Sequence, residues 1–179
     1  MPAFVYALLA HGVLGAVDIV LNHELIARLP NTPGAQREQQ LHCARELLFA
    51  AIFAGLAWRQ WQGPLAWCIG ALLIGELLVS CWDAVVEGAT RVLPPTERVL
   101  HVLLFVNLGI LISLLTQALA EWHRLPAQLA AIDYGWASWV LSAMAAGALG
   151  WAVRDGASSV RLARMAGGPG VKMATRRWP

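Results

Sequence analysis

Charge is what this sequence has least of. Only 13% of its 179 residues are Asp, Glu, Lys or Arg, about half the share of a soluble domain, and a water-facing surface cannot be covered from so small a stock. Cysteine is also scarce. Cys43, Cys68 and Cys81 are an odd number placed in or beside apolar runs, which excludes a disulfide framework and makes them small packing side chains. No Gly-x-Ser-x-Gly occurs, and Gly167-Gly168 lacks the strand and helix that would make it a phosphate-binding turn. Nothing alternates with period two, which excludes a transmembrane β-barrel.

What the chain has instead is long apolar runs, 58% of its residues being hydrophobic. A hydrocarbon core about 30 Å thick is crossed by a helix of about 20 residues. Five segments reach or approach that length: 3–22, 42–60, 65–86, 99–120 and 134–153. The first follows Met1 directly, with neither a basic flank nor a small-x-small cleavage pattern, and so reads as a retained helix. The expected fold is all-α: a polytopic membrane protein with a single transmembrane domain over 1–155 and a basic cytoplasmic tail over 156–179.

Lys and Arg orient such a chain. With five spans, Arg28, Arg37 and Arg45, then Arg91 and Arg98, then the six basic residues from Arg154 onward all fall on one side, and only Arg59 and Arg124 on the other. This puts the N-terminus outside and the C-terminus in the cytoplasm, as expected of the inner (plasma) membrane of a bacterium. The tail suits anionic lipid. Nucleic acid is not an expected partner, because the basic residues form no folded face and have no interleaved aromatics.

The polar residues recur in order. The first hairpin carries His11, Asp18, Asn22-His23-Glu24, Arg28-Leu29-Pro30, Glu38, His42 and Glu46. The second carries Glu76, Asp83, Glu87, Arg91-Val92-Leu93-Pro94, Glu97 and His101. Aligned on the aspartates, His11 matches Glu76, Asn22 matches Glu87, and Glu38/His42 matches Glu97/His101. The pattern reads as a duplicated transmembrane hairpin, 3–60 and 65–120, related by an axis along the membrane normal. Offsets of 4, 7 and 11 residues return to nearly one helical face, so four polar stripes converge in a four-helix core. The fifth helix, which lacks ionisable residues between Asp133 and Arg154, is expected on the rim.

Carboxylates inside a bilayer are costly, about 2.5–3.5 kcal/mol each at a helix centre on insertion scales, and several around one axis repel each other unless cations intervene. Divalent metal ions remove both problems. A mixed carboxylate and imidazole set suits Fe, Mn or Zn better than Ca. The expected ligands are Asp18, His42, Glu46, Asp83, Glu87 and His101, with His23, Glu38 and Glu97 as alternates or supporting partners; six groups exceed the need of one ion and suggest two. This ligand pattern, spread over residues 11–101, resembles the di-iron and di-manganese carboxylate bundles, in which a Glu and a Glu-x-x-His motif from paired helices hold two metals. Here the spacing is four, in Glu38/His42 and Glu97/His101, which keeps both groups on one face. The resemblance implies two iron ions, with Zn or Mn as alternatives.

His11 and Glu76 lie near the expected midplane, where they suit proton handling. Arg28 and Arg91, each shortly before a proline, suit an anionic headgroup at the cytoplasmic mouth. The leading expectation is a membrane oxidoreductase acting on a lipid-soluble substrate. A metal-ion or proton transporter and a metal-dependent lipid hydrolase are the alternatives, and a homodimer through the fifth helix is left open. Haem held between His42 and His101 would leave the surrounding acids without a role.

Overall fold

The computed structural model describes residues 1–166. The last part of the basic tail, with Lys172, Arg176 and Arg177, lies outside the described residues, and so does its reading as a lipid-contacting segment. Helix α1 (Ala3–Asp18) runs on as a π-helical segment (Ile19–Ile26), followed by a short turn at Leu29–Asn31. Helix α2 (Gln36–Ala57), strand β1 (Arg59–Trp61), helices α3 (Ala66–Thr90) and α4 (Pro95–His123), strand β2 (Leu129–Ala131) and helix α5 (Trp136–Ala166) complete it. Pro95 opens α4, where a missing amide proton costs nothing.

All five long helices are long and apolar enough to cross a bilayer. The burial pattern is inverted relative to a water-soluble bundle. Large apolar side chains such as Leu25, Ile74, Leu78, Val102 and Val153 face outward, while eight of the eleven carboxylates are buried. Water would penalise both placements; a hydrocarbon surround with a polar interior accounts for both.

Helix α1 packs on α4, α2 on α3, and α3 on α4. The interior is divided along its length. Towards the α2–α3 and α4–α5 connections it is apolar, built from Phe4, Leu8, Ile52, Leu56, Ile69 and Leu111 with their neighbours. Towards the α1–α2 and α3–α4 connections it is polar.

The apolar end is closed by main chain. Strands β1 and β2 pair antiparallel, Gln60 opposite Ala130, and tie the two connections together, a small addition to an otherwise helical fold. Gly63 beside them stands at φ 60°, and a Cβ there would sit 2.8 Å from Ala127 Cα, so only glycine fits.

Helix α5 departs from the sequence expectation. It does not stop at 153 on the rim but continues to Ala166 and lies along α2, its most extensive partner. The attachment is polar as well as apolar: Ser158 donates to Gln39, Arg154 donates to Glu24, and Arg161 donates to the Pro30 carbonyl at 2.6 Å. The segment 156–166, counted as basic tail in the sequence, is therefore helix, and Leu162 packs with Leu29 and Ala35 beneath the first connection.

Candidate metal centre

The polar end is assembled from four chain segments, starting with the π-helix. In an α-helix, residues five apart point about 140° away from each other. The i→i+5 hydrogen bonding of a π-helix brings them back to one face. Asp18 and His23 consequently both point inward, His23 Nε2 lying 3.6 Å from Asp18 Oδ2. Asn22 donates to Asp18 Oδ1 at 2.6 Å and accepts from the Thr96 hydroxyl at 2.8 Å, which docks this segment onto the first turn of α4.

Helices α2 and α4 each present a Glu and a His one turn apart. Glu38 and His42 are 2% and 4% exposed, and Glu97 is fully buried. His42 stacks on His23 with ring centres 4.3 Å apart and planes 9° from parallel, while His101 meets His23 edge-on at 6.4 Å.

Glu87 of α3 stands between the two halves. Its Oε1 is 3.5 Å from His42 Nε2 and its Oε2 is 3.3 Å from His101 Nδ1. Two sets of potential ligand atoms result, each with all members within 4.8 Å of one another: His23, Glu87, Glu97 and His101 in one, Glu38, His42 and Glu87 in the other. Glu87 belongs to both. With one oxygen near a histidine of each set, this carboxylate could serve both.

The remaining expected ligands sit around these sets. Asp18 Oδ2 is 3.1 Å from His101 Nε2, the ring nitrogen away from Glu87, and so supports that histidine, whereas Asp83 Oδ2 is 3.4 Å from His42 Nε2, the same nitrogen that faces Glu87. Glu46, one turn beyond His42, lines a cavity, and neither of its oxygens has a hydrogen-bond partner.

His11 and Glu76 are buried but do not meet. His11 stacks on Phe49, with Asn107 Nδ2 3.2 Å from its Nδ1. Glu76 accepts from Ser80 at 2.6 Å and from Arg45 Nε at 3.3 Å.

The two arginines expected at the mouth diverge. Arg28 is exposed at φ 49°, and among the described residues no carboxylate pairs with it. Arg91 instead forks inward, donating to Glu38 (Nε to Oε1, 3.0 Å) and to Glu97 (Nη1 to Oε2, 2.7 Å). Its guanidinium thus holds the outer carboxylate of each set and is not free for a headgroup.

Two further residues belong to the cluster and were not expected there. Arg45, counted in the sequence as a cytoplasmic flank charge, lies inside the bundle and donates to Asp83 Oδ2 at 2.9 Å as well as to Glu76. It is three residues from His42 and thus on the same face of α2, the spacing that could have revealed it. Asp155 of α5 is 3% exposed, with Oδ2 4.0 Å from His42 Nδ1. No local pattern marks it as part of the cluster, because it accepts a hydrogen bond from the adjacent Arg154 while His42 lies more than a hundred residues earlier.

The donor set fits a metal. Eight buried carboxylates, among the described residues, surround four buried or half-buried histidines and are met by three arginine side chains, Arg45, Arg91 and, at Asp155, Arg154. The excess of carboxylates over arginines in so buried a cluster suits bound cations, whether metal ions or protons. His23 Nε2, His42 Nδ1 and Asp83 Oδ1 are moreover buried without a well-formed hydrogen bond, and atoms of that kind are the ones a metal satisfies. No protein-family model matches the chain, and neither curated proteins nor solved structures provide a match, so the site is read from its own geometry.

Proposed function

We propose that this chain is a membrane oxidoreductase that holds two non-haem metal ions, iron by preference, at the polar end of its bundle and acts on a lipid-soluble substrate. The observation that carries the proposal is Glu87, shared by two sets of ligand atoms on neighbouring helices. His23, Glu97 and His101 hold one ion, Glu38 and His42 the other, and Glu87 joins them. Asp18 fixes the ring orientation of His101 through the nitrogen that faces away from Glu87. Two such ions would supply one-electron and oxygen chemistry at a site closed to bulk water.

The chain's own groups support that chemistry. Arg91 sets the separation of Glu38 and Glu97, and Arg45 neutralises Glu76 and Asp83 deeper in the bundle. The oxygen of Glu76 left without a partner is a place where a proton can be held deeper in the bundle, about three helical turns from Glu87. Arg45 fills the stretch between Glu76 and Asp83, and this weighs against the same polar column serving as a continuous ion path. In this reading the polar end faces the cytoplasm, as the distribution of Lys and Arg requires, and the equivalence of Glu38/His42 with Glu97/His101 reflects a duplicated hairpin.

Elemental analysis of the detergent-purified chain tests the proposal, with an optical spectrum and the variants Glu87→Gln, His42→Ala and His101→Ala. About two irons per chain, no haem band, one ion lost in each histidine variant and both weakened in Glu87→Gln are expected, since losing a ligand or its support costs 10–100-fold in affinity. Stoichiometric zinc would move the reading to hydrolysis of a lipid. A folded chain that retains no metal would end it.

A further inference from the structure

A cavity of about 270 Å³ opens beside the metal-ligand cluster, between α1 and α5, with α2 as its floor. The two walls are made of small residues: Gly12, Gly15 and Ala16 on α1, Gly147 and Ala148 on α5. At Gly12 the helices nearly touch, a Cβ there falling 2.6 Å from Met144 Sδ. One turn further, at Gly15 and Gly147, a Cβ would meet nothing within 4 Å, so the seam widens into a gap. Phe49 and Phe53 form the apolar floor, and His23, His42 and Glu46 form the polar end.

Small residues between helices usually bring them together; here they leave an opening. The second observation is Glu46, 8% exposed, which lines the cavity and has both carboxylate oxygens buried without a hydrogen-bond partner. A buried acceptor without a donor is unfavourable by about 1–3 kcal/mol or more, and a hydroxyl donor entering the cavity that Glu46 lines would relieve it. The gap faces the hydrocarbon, because its flanking residues Val13, Val17, Val20 and Leu149 are exposed apolar side chains.

The geometry points to a lateral binding chamber for a membrane-dissolved amphiphile whose compact head carries a hydroxyl donor, with the head bound at Glu46 beside His23 and His42 and the apolar chain leaving between Gly15 and Gly147. The volume lies just below the usual range for a site that encloses a whole small molecule, about 300–1,000 Å³. It is sufficient for a head and the first part of a tail, the rest lying along the bundle in the bilayer. This names the substrate class of the proposed oxidoreductase and rests on that reading only for what befalls the head; the binding itself needs no metal.

The test uses the full chain in lipid nanodiscs and a photoreactive probe, a long-chain primary alcohol bearing a diazirine, with its methyl ether as the comparison. Labelling is expected on α2 and α5 peptides. It should be lost in Gly15→Phe and Gly147→Phe and kept in Gly109→Phe, whose added side chain also meets open space but on the outer face of α4. Glu46→Leu, and the ether in place of the alcohol, should each weaken labelling by about tenfold, the worth of one buried hydrogen bond. Metal content is measured on the same samples. Equal labelling of the parent and both plugged variants overturns the inference, and so does equal labelling by alcohol and ether. Selective labelling of a chain that retains no metal upholds the chamber and ends the metal-centre reading.

Discussion

Arg45 shows how much one side chain can carry in this interior. Its guanidinium is within reach of Glu76 and Asp83 at once, in a region where no solvent replaces it. Breaking a buried ion pair from one side leaves an uncompensated charge and costs about 3–5 kcal/mol, whereas removing both partners is often close to neutral. Arg45→Leu is therefore expected to lower stability by that amount in reversible unfolding from mixed micelles, and Arg45→Leu combined with Glu76→Leu to recover a large part of it. An Arg45→Leu chain as stable as the parent would show that the arginine does not sit between those acids. Asp83 keeps a partner in either variant through His42.

Among the elements, the π-helical segment has the sharpest consequence. It is what turns His23 toward Asp18 and His42, and its geometry makes residues five apart behave as residues four apart do in an α-helix. Deleting the exposed Leu21 should let the segment revert to α-helix with Asp18 and His23 still on one face, so metal content should survive. Inserting an alanine after Leu21 should turn His23 away and release one ion of the pair, as measured by elemental analysis. Equal loss in both variants would mean that the segment's backbone, not its register, holds the site. The same element marks where reading the sequence reaches its limit. Glu38/His42, Glu97/His101, Asp83 and Glu87 could be placed from α-helical spacing, because α2, α3 and α4 are regular throughout their polar turns. The closeness of His23 could not be read off that spacing, since no residue type announces a π-helix. Asp155 stayed hidden for a different reason: its role depends on α5 lying along α2, a tertiary fact set by Gln39, Ser158, Glu24 and Arg154 together. Arg45 was misplaced because a charge near the start of a span normally flanks the membrane, and here its partners lie deeper than its own Cα.

At the scale of the whole molecule, the two ends differ in chemistry, and that difference should coincide with sidedness. Arg124 is exposed beyond the last turn of α4 at the apolar end, and Arg28 is exposed at the polar end. In a cysteine-free background, Arg124→Cys should react with an impermeant maleimide added to intact cells, and Arg28→Cys only after permeabilisation. The reverse pattern would put the N-terminus inside and move the metal centre to the other face. The native Cys68 and Cys81, exposed on the apolar flank of α3, should be shielded from the same reagent by lipid.

The short β1–β2 ladder gives the bundle a mechanical asymmetry. At one end the connections are tied by backbone hydrogen bonds and a glycine corner that admits no side chain. At the other the helices are held by charged side chains around the two sets of potential ligand atoms. If ions occupy the proposed centre, the molecule would work as a spring clip with its pivot at the ladder and its jaws at Glu87, the helices being tied at one end before anything is held at the other.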